Sequence, residues 1–421
     1  MALTSRAIRS LAVALCAGLV VVTANFYSAP AWAGTLERPG DRVDMKRAPL
    51  AAPYATTSAV NGPRHRRRPD NMRPKAPKGF RVRKFAEGLI TPRNMAIAEN
   101  GDVLVVETSR GRVTVLRDTD DNGTADEKYH ITTGLKSPYG IALRKPYLYV
   151  ADLRGVWRYQ YIAGRNSVEG RPRQITEDGA LGDDRGHWTR NIVLDPNGAD
   201  FFVAIGSEGN VGEEAAPRAT IQKFEAGGRN QTTFASGLRN PVGLAIQPAT
   251  GHLYTVVNER DGLGDDLVPD YLTKVEEGDF FGWPYSYLGS NPDPDFGDRR
   301  PDLIETAKMP DVLFRAHSAP LGLAFYTGTQ FPEVYHGDAF VTLHGSWNSS
   351  EPRGYTVARV LFQDGKPTGT YEVFLTGFLT NADGRPEIYG RPTGIVVAWD
   401  GALLVSDEAE GVIWRVSYER Y

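Results

Sequence analysis

Short apolar runs recur along residues 80–421, and each is followed by a glycine turn and a second apolar run. Residues 241–246, for example, read Pro-Val-Gly-Leu-Ala-Ile and lead through Gly251 into Leu-Tyr-Thr-Val at residues 253–256. The runs are rich in β-branched and aromatic residues and lack the 3.6-residue periodicity of amphipathic helices. The pattern therefore predicts antiparallel strands joined by tight turns.

This strand–turn–strand unit occurs six times. Five copies open on a proline and a divergent copy opens on a histidine, at Pro92, Pro138, His187, Pro241, Pro320 and Pro392. Repeated small sheets are typical of a propeller, so we predict an all-β, six-bladed β-propeller over residues 80–421. Surplus length between Arg260 and Ala316 predicts an insertion between blades 4 and 5. The last run, residues 412–416, is expected to pair with residues 80–85 and close the ring.

The first 33 residues have the features of an export signal. Arg6 and Arg9 precede an apolar stretch over residues 11–23, and residues 31–33 read Ala-Trp-Ala. That pattern predicts a signal peptide cleaved after Ala33, and hence a periplasmic or secreted protein. The apolar stretch is shorter than the roughly 20 residues that a membrane-spanning helix needs, so no stable membrane insertion is expected.

Cysteine usage narrows the chemistry of the mature chain. Cys16 is the only cysteine, and it lies inside the apolar stretch of the predicted signal. Without it, the mature chain has no disulfide, no thiolate metal site and no covalently attached haem.

Residues 34–79 are rich in proline and arginine and show no apolar periodicity. They contain 11 Lys and Arg against 4 Asp and Glu, whereas the whole chain has a net charge of −3. Such a stretch buries too little surface to offset its ordering entropy, which predicts a disordered linker. The remaining chain is strongly acidic, which argues against a nucleic-acid partner.

The loops that precede the innermost strands of a propeller meet near its axis on one face. Seven residues flank the repeat openings and are expected to converge there: Arg93, Tyr139, His187, Arg239, Asn240, His317 and Arg391. The rigid fork of arginine suits carboxylates and phosphates. Three arginines at equivalent positions therefore predict a cationic pocket for an anionic ligand.

A separate acidic loop follows the first repeat. Its oxygen donors occupy positions 1, 3, 5 and 9 of a calcium-loop pattern, at Asp118, Asp120, Asn122 and Asp126. Gly123 stands at position 6, but Tyr129 replaces the usual Glu at position 12. The pattern predicts a structural calcium that braces this hairpin, and an ordinary hairpin tip is the alternative.

Five further stretches carry a family resemblance: residues 237–241, 258–266, 281–284, 344–348 and 390–392. They resemble the soluble pyrroloquinoline quinone (PQQ)-dependent sugar dehydrogenases, in particular the sorbosone dehydrogenase-like branch. The resemblance implies an exported quinoprotein that oxidises a sugar, aldose or cyclic polyol at a CH–OH group by hydride transfer to PQQ. Its electrons would pass to an external acceptor, a cytochrome or a quinone.

The resemblance also implies roles for individual residues. His187 matches the general base of the family, and Arg239 matches the arginine that stabilises negative charge on the quinone as hydride arrives. Contacts to PQQ are implied for Arg93, Arg239, Asn240, His317, His344 and Arg391. Thr356 departs from the family, since related sequences often have lysine there.

Calcium is the second cofactor that the resemblance implies. In the family it is held against the quinone by backbone carbonyls in the loop matched by Asp261 and Gly262. Asp265 and Asp266 either ligate the ion or shape the loop. Oxygen ligands suit Ca²⁺, which would act as a Lewis acid on the quinone.

The sequence is also compatible with two other functions. A calcium-dependent lactonase also uses a six-bladed propeller, but it would depend on carboxylates and an amide around one metal. The second alternative is a ligand- or protein-binding propeller without catalytic activity.

Overall fold

The computed structural model describes residues 36–47 and 49–419, so the predicted signal peptide lies outside the described residues. Within these ranges nearly all regular structure is β. Helix is confined to Pro301–Ile304 and to three 3₁₀ turns, at Met45–Arg47, Thr108–Arg110 and Glu333–Tyr335. No helix in this part of the chain has the length and apolar character needed to cross a membrane.

Six sheets of four or five strands make up most of the described chain, and each begins with an inner strand at one of the six repeats. The first sheet contains Pro92–Ile97, Val103–Glu107, Arg112–Arg117 and Glu127–Thr132, and the second contains Gly140–Arg144, Tyr147–Ala151, Val156–Gln160 and Glu169–Gln174. The third contains Arg190–Leu194, Asp200–Ile205, Thr220–Glu225 and Thr232–Ser236, and the fourth contains Asn240–Ile246, Leu253–Asn258, Tyr271–Val275 and Val312–Leu313. The fifth contains Pro320–Phe325, Ala339–Leu343, Thr356–Gln363 and Lys366–Leu375, and the sixth contains Pro392–Val397, Leu403–Asp407, Val412–Tyr418 and Phe80–Ala86.

The six inner strands contact one another in cyclic order, so the sheets surround a common axis. The sixth sheet takes its outer strand, Phe80–Ala86, from the beginning of the repeat region and pairs it antiparallel with Val412–Tyr418. The predicted closure of the ring is thereby confirmed. The all-β architecture agrees with the β-propeller that the repeats predict.

The second strand of the first sheet shows why continuous apolar runs suit this ring. Leu104 and Val106 pack in the cluster shared with the second sheet, whereas Val103 and Val105 pack against the sixth. Successive side chains of a strand point to opposite faces, and here both faces are covered by a neighbouring sheet. Each strand in such a position must therefore be apolar on both sides.

The extra length lies within the fourth sheet, and not between the fourth and fifth as predicted. Residues 276–311 separate its third strand, Tyr271–Val275, from its outer strand, Val312–Leu313. Within this insertion Ser286–Tyr287 pairs with Asn291–Pro292. Asp279–Phe280 adds in parallel to the outer edge of the third sheet at Ala235 and Ser236. The insertion thus bridges the third and fourth sheets.

Residues 36–47 and 49–79, which we call the N-terminal arm, are packed on the propeller, so the predicted disordered linker is wrong. Arg42–Val43 extends the outer edge of the fifth sheet, and Arg64–His65 runs parallel to Glu387–Ile388, which also pairs with Leu379–Asn381. Lys75 bridges Thr376. These are main-chain bonds to exposed strand edges, which offer unpaired N–H and C=O groups to any strand. Such contacts do not require a periodic pattern of apolar residues, so the absence of that pattern in the arm did not reveal them.

One cation of the basic run is buried. The Nε of Arg68 donates to Glu410 Oε2 at 2.8 Å, and its Nη1 donates to the Gly377 carbonyl oxygen at 2.9 Å. Its guanidinium carbon lies 5.0 Å and 5.1 Å from the ring centres of Tyr389 and Trp414. Ion pairing and cation–π attraction together fasten the arm to the sixth sheet.

Replacing Arg68 by alanine is expected to destabilise the protein, because Glu410 is left mostly buried without its partner. Loss of one member of a buried pair costs about 3–5 kcal/mol, measurable as a lower urea midpoint. The matched control is Arg67→Ala, since 87% of the Arg67 side chain is exposed and such changes stay within about 0.5 kcal/mol. Equal midpoints for the two variants would contradict the anchoring role of Arg68.

Candidate active site

The loops before the inner strands surround a cavity of about 380 Å³, within the range of about 300–1,000 Å³ typical of small-molecule sites. Of the residues expected to converge here, Tyr139 is fully buried and is not among the lining residues. The seven residues predicted as catalytic or as PQQ contacts all line this cavity: Arg93, His187, Arg239, Asn240, His317, His344 and Arg391. They come from five of the six sheets and lie far apart along the chain. Only ring closure places them together.

His187 is held in one orientation by the backbone. Its Nδ1 lies 2.8 Å from the Ser207 carbonyl oxygen and 3.0 Å from the Ser207 hydroxyl. A carbonyl only accepts, so Nδ1 carries the proton and Nε2 keeps its lone pair. Burial, with the charge of Arg239 added, lowers the pKa of His187 to about 4. The imidazole is therefore neutral at neutral pH.

Two arginines that sequence reasoning did not single out hold the His187 loop. Arg190, fully buried, and Arg218 both donate to the His187 carbonyl oxygen, at 2.9 Å and 3.3 Å. Both also donate to the Asp183 carbonyl oxygen, at 2.9 Å and 3.1 Å. The Asp183 carboxylate pairs with Arg218 at 2.5 Å. Because most of these bonds run to backbone oxygens, the two arginines hold the main chain of the loop in place.

Arg239 has all five N–H groups bonded within the protein. Its acceptors are the carbonyl oxygens of Asn210, Asn258 and Glu259 and the side chains of Asn210 and Asp261. The guanidinium is thus fixed in place, and it acts on a ligand through its charge more than through free donors. Its carboxylate partner, Asp261, lies at 3.2 Å.

Asp261 also contacts the fifth sheet's loops. His317 Nδ1 lies 3.5 Å from Asp261 Oδ1, and Asn348 Nδ2 donates to the same oxygen. Burial alone would raise the pKa of Asp261, but His317 and Arg239 outweigh it and the pKa is lowered. Burial alone would lower the pKa of His317. The Asp261 carboxylate and the Gly264 carbonyl oxygen, which lies 2.9 Å from Nε2, outweigh burial, and the pKa is raised.

Glu408, which the sequence analysis did not identify, compensates the positive charge of a second arginine of the cavity. Its carboxylate pairs with Arg93 and accepts a 2.5 Å hydrogen bond from His344 Nε2. Burial would raise the pKa of Glu408, but His344 and Arg93 outweigh it and hold the pKa at about 2. Burial and Arg391 lower the pKa of His344 to about 4, so His344 is neutral and Glu408 charged.

The cavity is less cationic than the sequence predicted, since Arg93 and Arg239 each have a carboxylate partner. Arg391 is the exception among the three arginines. Its Nε and Nη2 donate to the carbonyl oxygens of His344 and Gly345, at 3.2 Å and 2.6 Å. These two bonds use two of its five N–H groups, which leaves Nη1 and further protons for a ligand.

Several buried polar atoms of the lining residues have no protein partner. They are Arg93 Nε, Thr189 Oγ1, Asn240 Oδ1 and Glu259 Oε1. Buried polar groups in folded proteins are nearly always hydrogen-bonded. A cluster of unpaired donors and acceptors around one cavity therefore fits a polar ligand.

Of the residues predicted to form a calcium site here, the structure places only Asp261 in the cavity wall. Its carbonyl oxygen already accepts from Asn210 Nδ2 at 2.9 Å. Asp265 binds the backbone and hydroxyl of Ser350, and Asp266 pairs with Arg353 at 2.7 Å. Asp265 and Asp266 thus bind groups of the neighbouring loop and do not line the cavity, and calcium ligation by either stays a prediction. Gly262, like them, is not among the lining residues.

Two lining carboxyls are deeply buried. Burial raises the pKa of Glu259 to about 7 and that of Asp270 to about 7. Asp270 accepts from the backbone N–H of Glu259 and of Ala319, at 2.9 Å and 2.8 Å. It therefore ties the fourth sheet's loop to the start of the fifth sheet.

The acidic loop of the first sheet lies outside the cavity. Ligand atoms of Asp118, Asp120 and Asp126 come within 4.8 Å of one another, the only such group among the described residues. Calcium binding by this loop, with Asn122, stays a prediction. Thr356 is buried at the start of its strand and does not line the cavity.

The aromatic wall of the cavity was only partly identifiable from sequence. Trp188 meets Tyr139 edge-on at 5.7 Å, and the Arg93 guanidinium carbon lies 5.2 Å from the Trp188 ring centre. Trp347 lines the cavity with 52% of its surface exposed.

Ser207, Glu259, His344 and Glu408 share a simple position. Each follows the second strand of a sheet by one or two residues. The second strand is antiparallel to the inner strand, so its end lies beside the inner strand's beginning. Residues that follow second strands therefore lie on the same face as the residues that precede inner strands. Their position in each repeat can be read from the sequence, so they could have been identified as candidates for the cavity wall.

Comparison with known proteins gives one family match and several relatives. A TrAA12-like family model matches residues 74–278 and 298–419. A Borreliella burgdorferi protein described as uncharacterized is 29% identical over 357 residues, which cover 82% of this chain and 91% of that protein. The PQQ-dependent pyranose dehydrogenase of Coprinopsis cinerea is 26% identical over 410 residues; the match covers 80% of this chain but only 54% of that enzyme, so the chain spans about half its length. The PQQ-dependent sugar dehydrogenase of Hypocrea jecorina is 24% identical, with 81% of this chain and 88% of that protein covered.

Solved structures share the fold. The holo PQQ domain of the Coprinopsis cinerea pyranose dehydrogenase superposes with a TM-score of 0.69 at 22% identity, over 85% of this chain and all of that one. The PQQ-bound aldose sugar dehydrogenase of Streptomyces coelicolor superposes with a TM-score of 0.57 at 18% identity. The superposition covers 82% of this chain and all of that one. Since the family model covers most of the repeat region, the chain belongs to the TrAA12-like family, within the soluble PQQ-dependent sugar dehydrogenases that the sequence resembles.

Proposed function

We propose that the chain is an exported quinoprotein with six blades that oxidises a sugar, aldose or cyclic polyol at a CH–OH group. PQQ is its cofactor, and an external cytochrome or quinone takes the electrons. The observation that carries the proposal is the neutral His187, with Nε2 free, in the same cavity as the three arginines. The names of the fungal relatives support the substrate class. The sorbosone-type specificity is a narrower form of the same proposal.

The lining residues fit a tricarboxylate with an ortho-quinone. Arg391 and Arg93 have N–H groups without protein acceptors, and Asn240 has a buried oxygen without a donor. These residues would hold the PQQ carboxylates and ring, with His317 and His344 on the adjoining walls. When bound, PQQ supplies the acceptor for a hydride from the substrate carbon.

His187 acts as the general base. Its Nε2 accepts the proton of the substrate hydroxyl while the carbonyl of Ser207 keeps Nδ1 protonated. Arg190 and Arg218 fix the backbone of His187, so that the imidazole needs no reorganisation. Arg239 provides a fixed positive charge that favours the build-up of negative charge on the acceptor.

Calcium is the second cofactor that we propose. Among the described residues, the carboxylates around the cavity do not come close enough together to bind a metal by themselves. Backbone carbonyls of the 261–262 loop are the donors that the family resemblance offers, and hard oxygen ligands suit Ca²⁺. Glu259 Oε1 is a further oxygen atom of the cavity wall without a hydrogen-bond partner.

Replacing His187 by alanine tests the proposal. Purified protein is supplied with PQQ and Ca²⁺, and sugar-dependent reduction of an artificial dye is followed. Loss of a positioned base is expected to lower kcat/KM by about 10²–10⁴, while bound PQQ stays unchanged. The control is His252→Ala, because His252 is exposed and outside the cavity.

Three outcomes would count against this account. Unchanged activity in His187→Ala rejects the base role. Hydrolysis of a lactone with metal alone would favour a lactonase, and binding without turnover would favour a non-catalytic propeller.

The pH dependence follows from the low pKa of His187. The base works only when neutral, and it becomes protonated as pH falls through about 4. The histidine therefore contributes no fall in kcat/KM from about pH 8 to about pH 6, and activity is lost only in more acid solution. A pH–rate profile checks this. Half-maximal activity near 6.5, the ordinary histidine value, would contradict the buried, arginine-flanked setting.

A further inference from the structure

The N-terminal arm crosses the rim of the cavity between two loops. The first rim loop, residues 261–266, contributes Asp261 to the cavity wall. The second rim loop, residues 344–350, contributes His344, Trp347 and Asn348. The family match begins only at residue 74, so residues 36–47 and 49–73 of the arm precede the part of the chain that the family model matches.

On the first rim loop, the arm makes one main-chain hydrogen bond and accepts one hydrogen bond through a side chain. Tyr54 N–H donates to the Leu263 carbonyl oxygen at 2.8 Å, and Asp265 N–H donates to Thr56 Oγ1 at 2.7 Å. Gly264 lies between them with a φ of +109°, and a Cβ there would stand 2.9 Å from the Thr56 carbonyl oxygen. The close approach of arm and loop therefore requires glycine at this position.

On the second rim loop, Asn61 is the contact residue. Its N–H donates to the Trp347 carbonyl oxygen at 2.7 Å, and its Nδ2 donates to the Ser350 carbonyl oxygen at 3.0 Å. Nδ2 also lies 3.3 Å from the Gly384 carbonyl oxygen, which ties this point to the loop that precedes the sixth sheet. One asparagine thus contacts two loops, the second rim loop and the loop that contains Gly384.

The two rim loops are also bonded to each other. Asp265 Oδ1 accepts from Ser350 N–H at 2.8 Å, and Asp265 Oδ2 accepts from the Ser350 hydroxyl. Together with Thr56 and Asn61 these bonds form a continuous chain from the arm, through both loops, and back to the arm. On the cavity side, Gly264 and Asp261 contact His317, so displacement of the first rim loop reaches the site.

We propose that residues 54–61 are a strap that fixes both rim loops and slows release of the ligand held in the cavity. Thr56 and Asn61 are positioning residues, because they touch the loops and not the cavity. Surface loops without such ties open readily. The claim about ligand release rests on the proposed binding of PQQ, whereas the claim about the loops does not.

The test compares Thr56→Val and Asn61→Ala with matched controls in the same arm, Thr57→Val and Asn71→Ala. The control side chains are exposed and, unlike those of Thr56 and Asn61, make no hydrogen bond to a described residue of either rim loop. Hydrogen–deuterium exchange of residues 261–266 and 344–350 is measured in the protein without added cofactor. A hydrogen bond contributes about 0.5–1.5 kcal/mol net, so exchange through loop opening is expected to be about threefold to tenfold faster in each test variant. The controls should exchange like the natural chain.

The second readout is the rate of PQQ dissociation from the loaded protein, expected to rise by a similar factor, about threefold to tenfold. Rim-loop exchange as slow in the test variants as in the controls would overturn the strap. Faster exchange with unchanged PQQ release would overturn its role in retention. If the natural chain binds no PQQ, the proposed function fails, but the exchange data still decide whether the strap exists.

Discussion

Closure of the ring is the constraint on which the rest of the structure depends. Each sheet buries both faces against its neighbours, as the alternating contacts of residues 103–106 show. This packing fixes the inner strands around one axis, and it places the starts of the inner strands and the ends of the second strands on one face. His187, Arg239 and Arg391 meet only for that reason. A site built in this way needs no local sequence motif, because the fold supplies the proximity.

Burial then sets the electrostatics of the cavity. Charges taken out of water must be paired or satisfied by oriented dipoles. Both occur in this chain. The carboxylates of Glu408 and Asp261 pair with Arg93 and Arg239. Backbone carbonyl oxygens accept hydrogen bonds from Arg190, Arg391 and Arg239. The same burial keeps His187 neutral at neutral pH. A neutral base beside fixed positive charge is the combination that proton removal coupled to charge build-up requires.

The sequence was sufficient to predict those parts of the fold and the site that a repeated pattern or a family motif encodes. It predicted the strands of residues 92–97 and 241–246, the pairing that closes the ring, and the convergence of Arg93, His187 and Arg391. It failed where single contacts decide the outcome. The arm is ordered by strand-edge bonds and by the burial of Arg68, neither of which has a periodic signature. Charge pairing by Glu408 was missed because Glu408 follows a second strand, and residues in that position were considered only where the family resemblance pointed to them.

In the proposed function, the cavity at the ring's centre binds a polycarboxylate redox cofactor through Arg391. Isothermal titration of the purified protein with PQQ, in the presence of Ca²⁺, measures this directly. We expect saturable binding of one PQQ per chain. The affinity should be about tenfold or more weaker in Arg391→Ala, because a hydrogen bond to a charged group contributes about 1.5–3 kcal/mol. No saturable binding, or equal affinity in the natural chain and in Arg391→Ala, would contradict it.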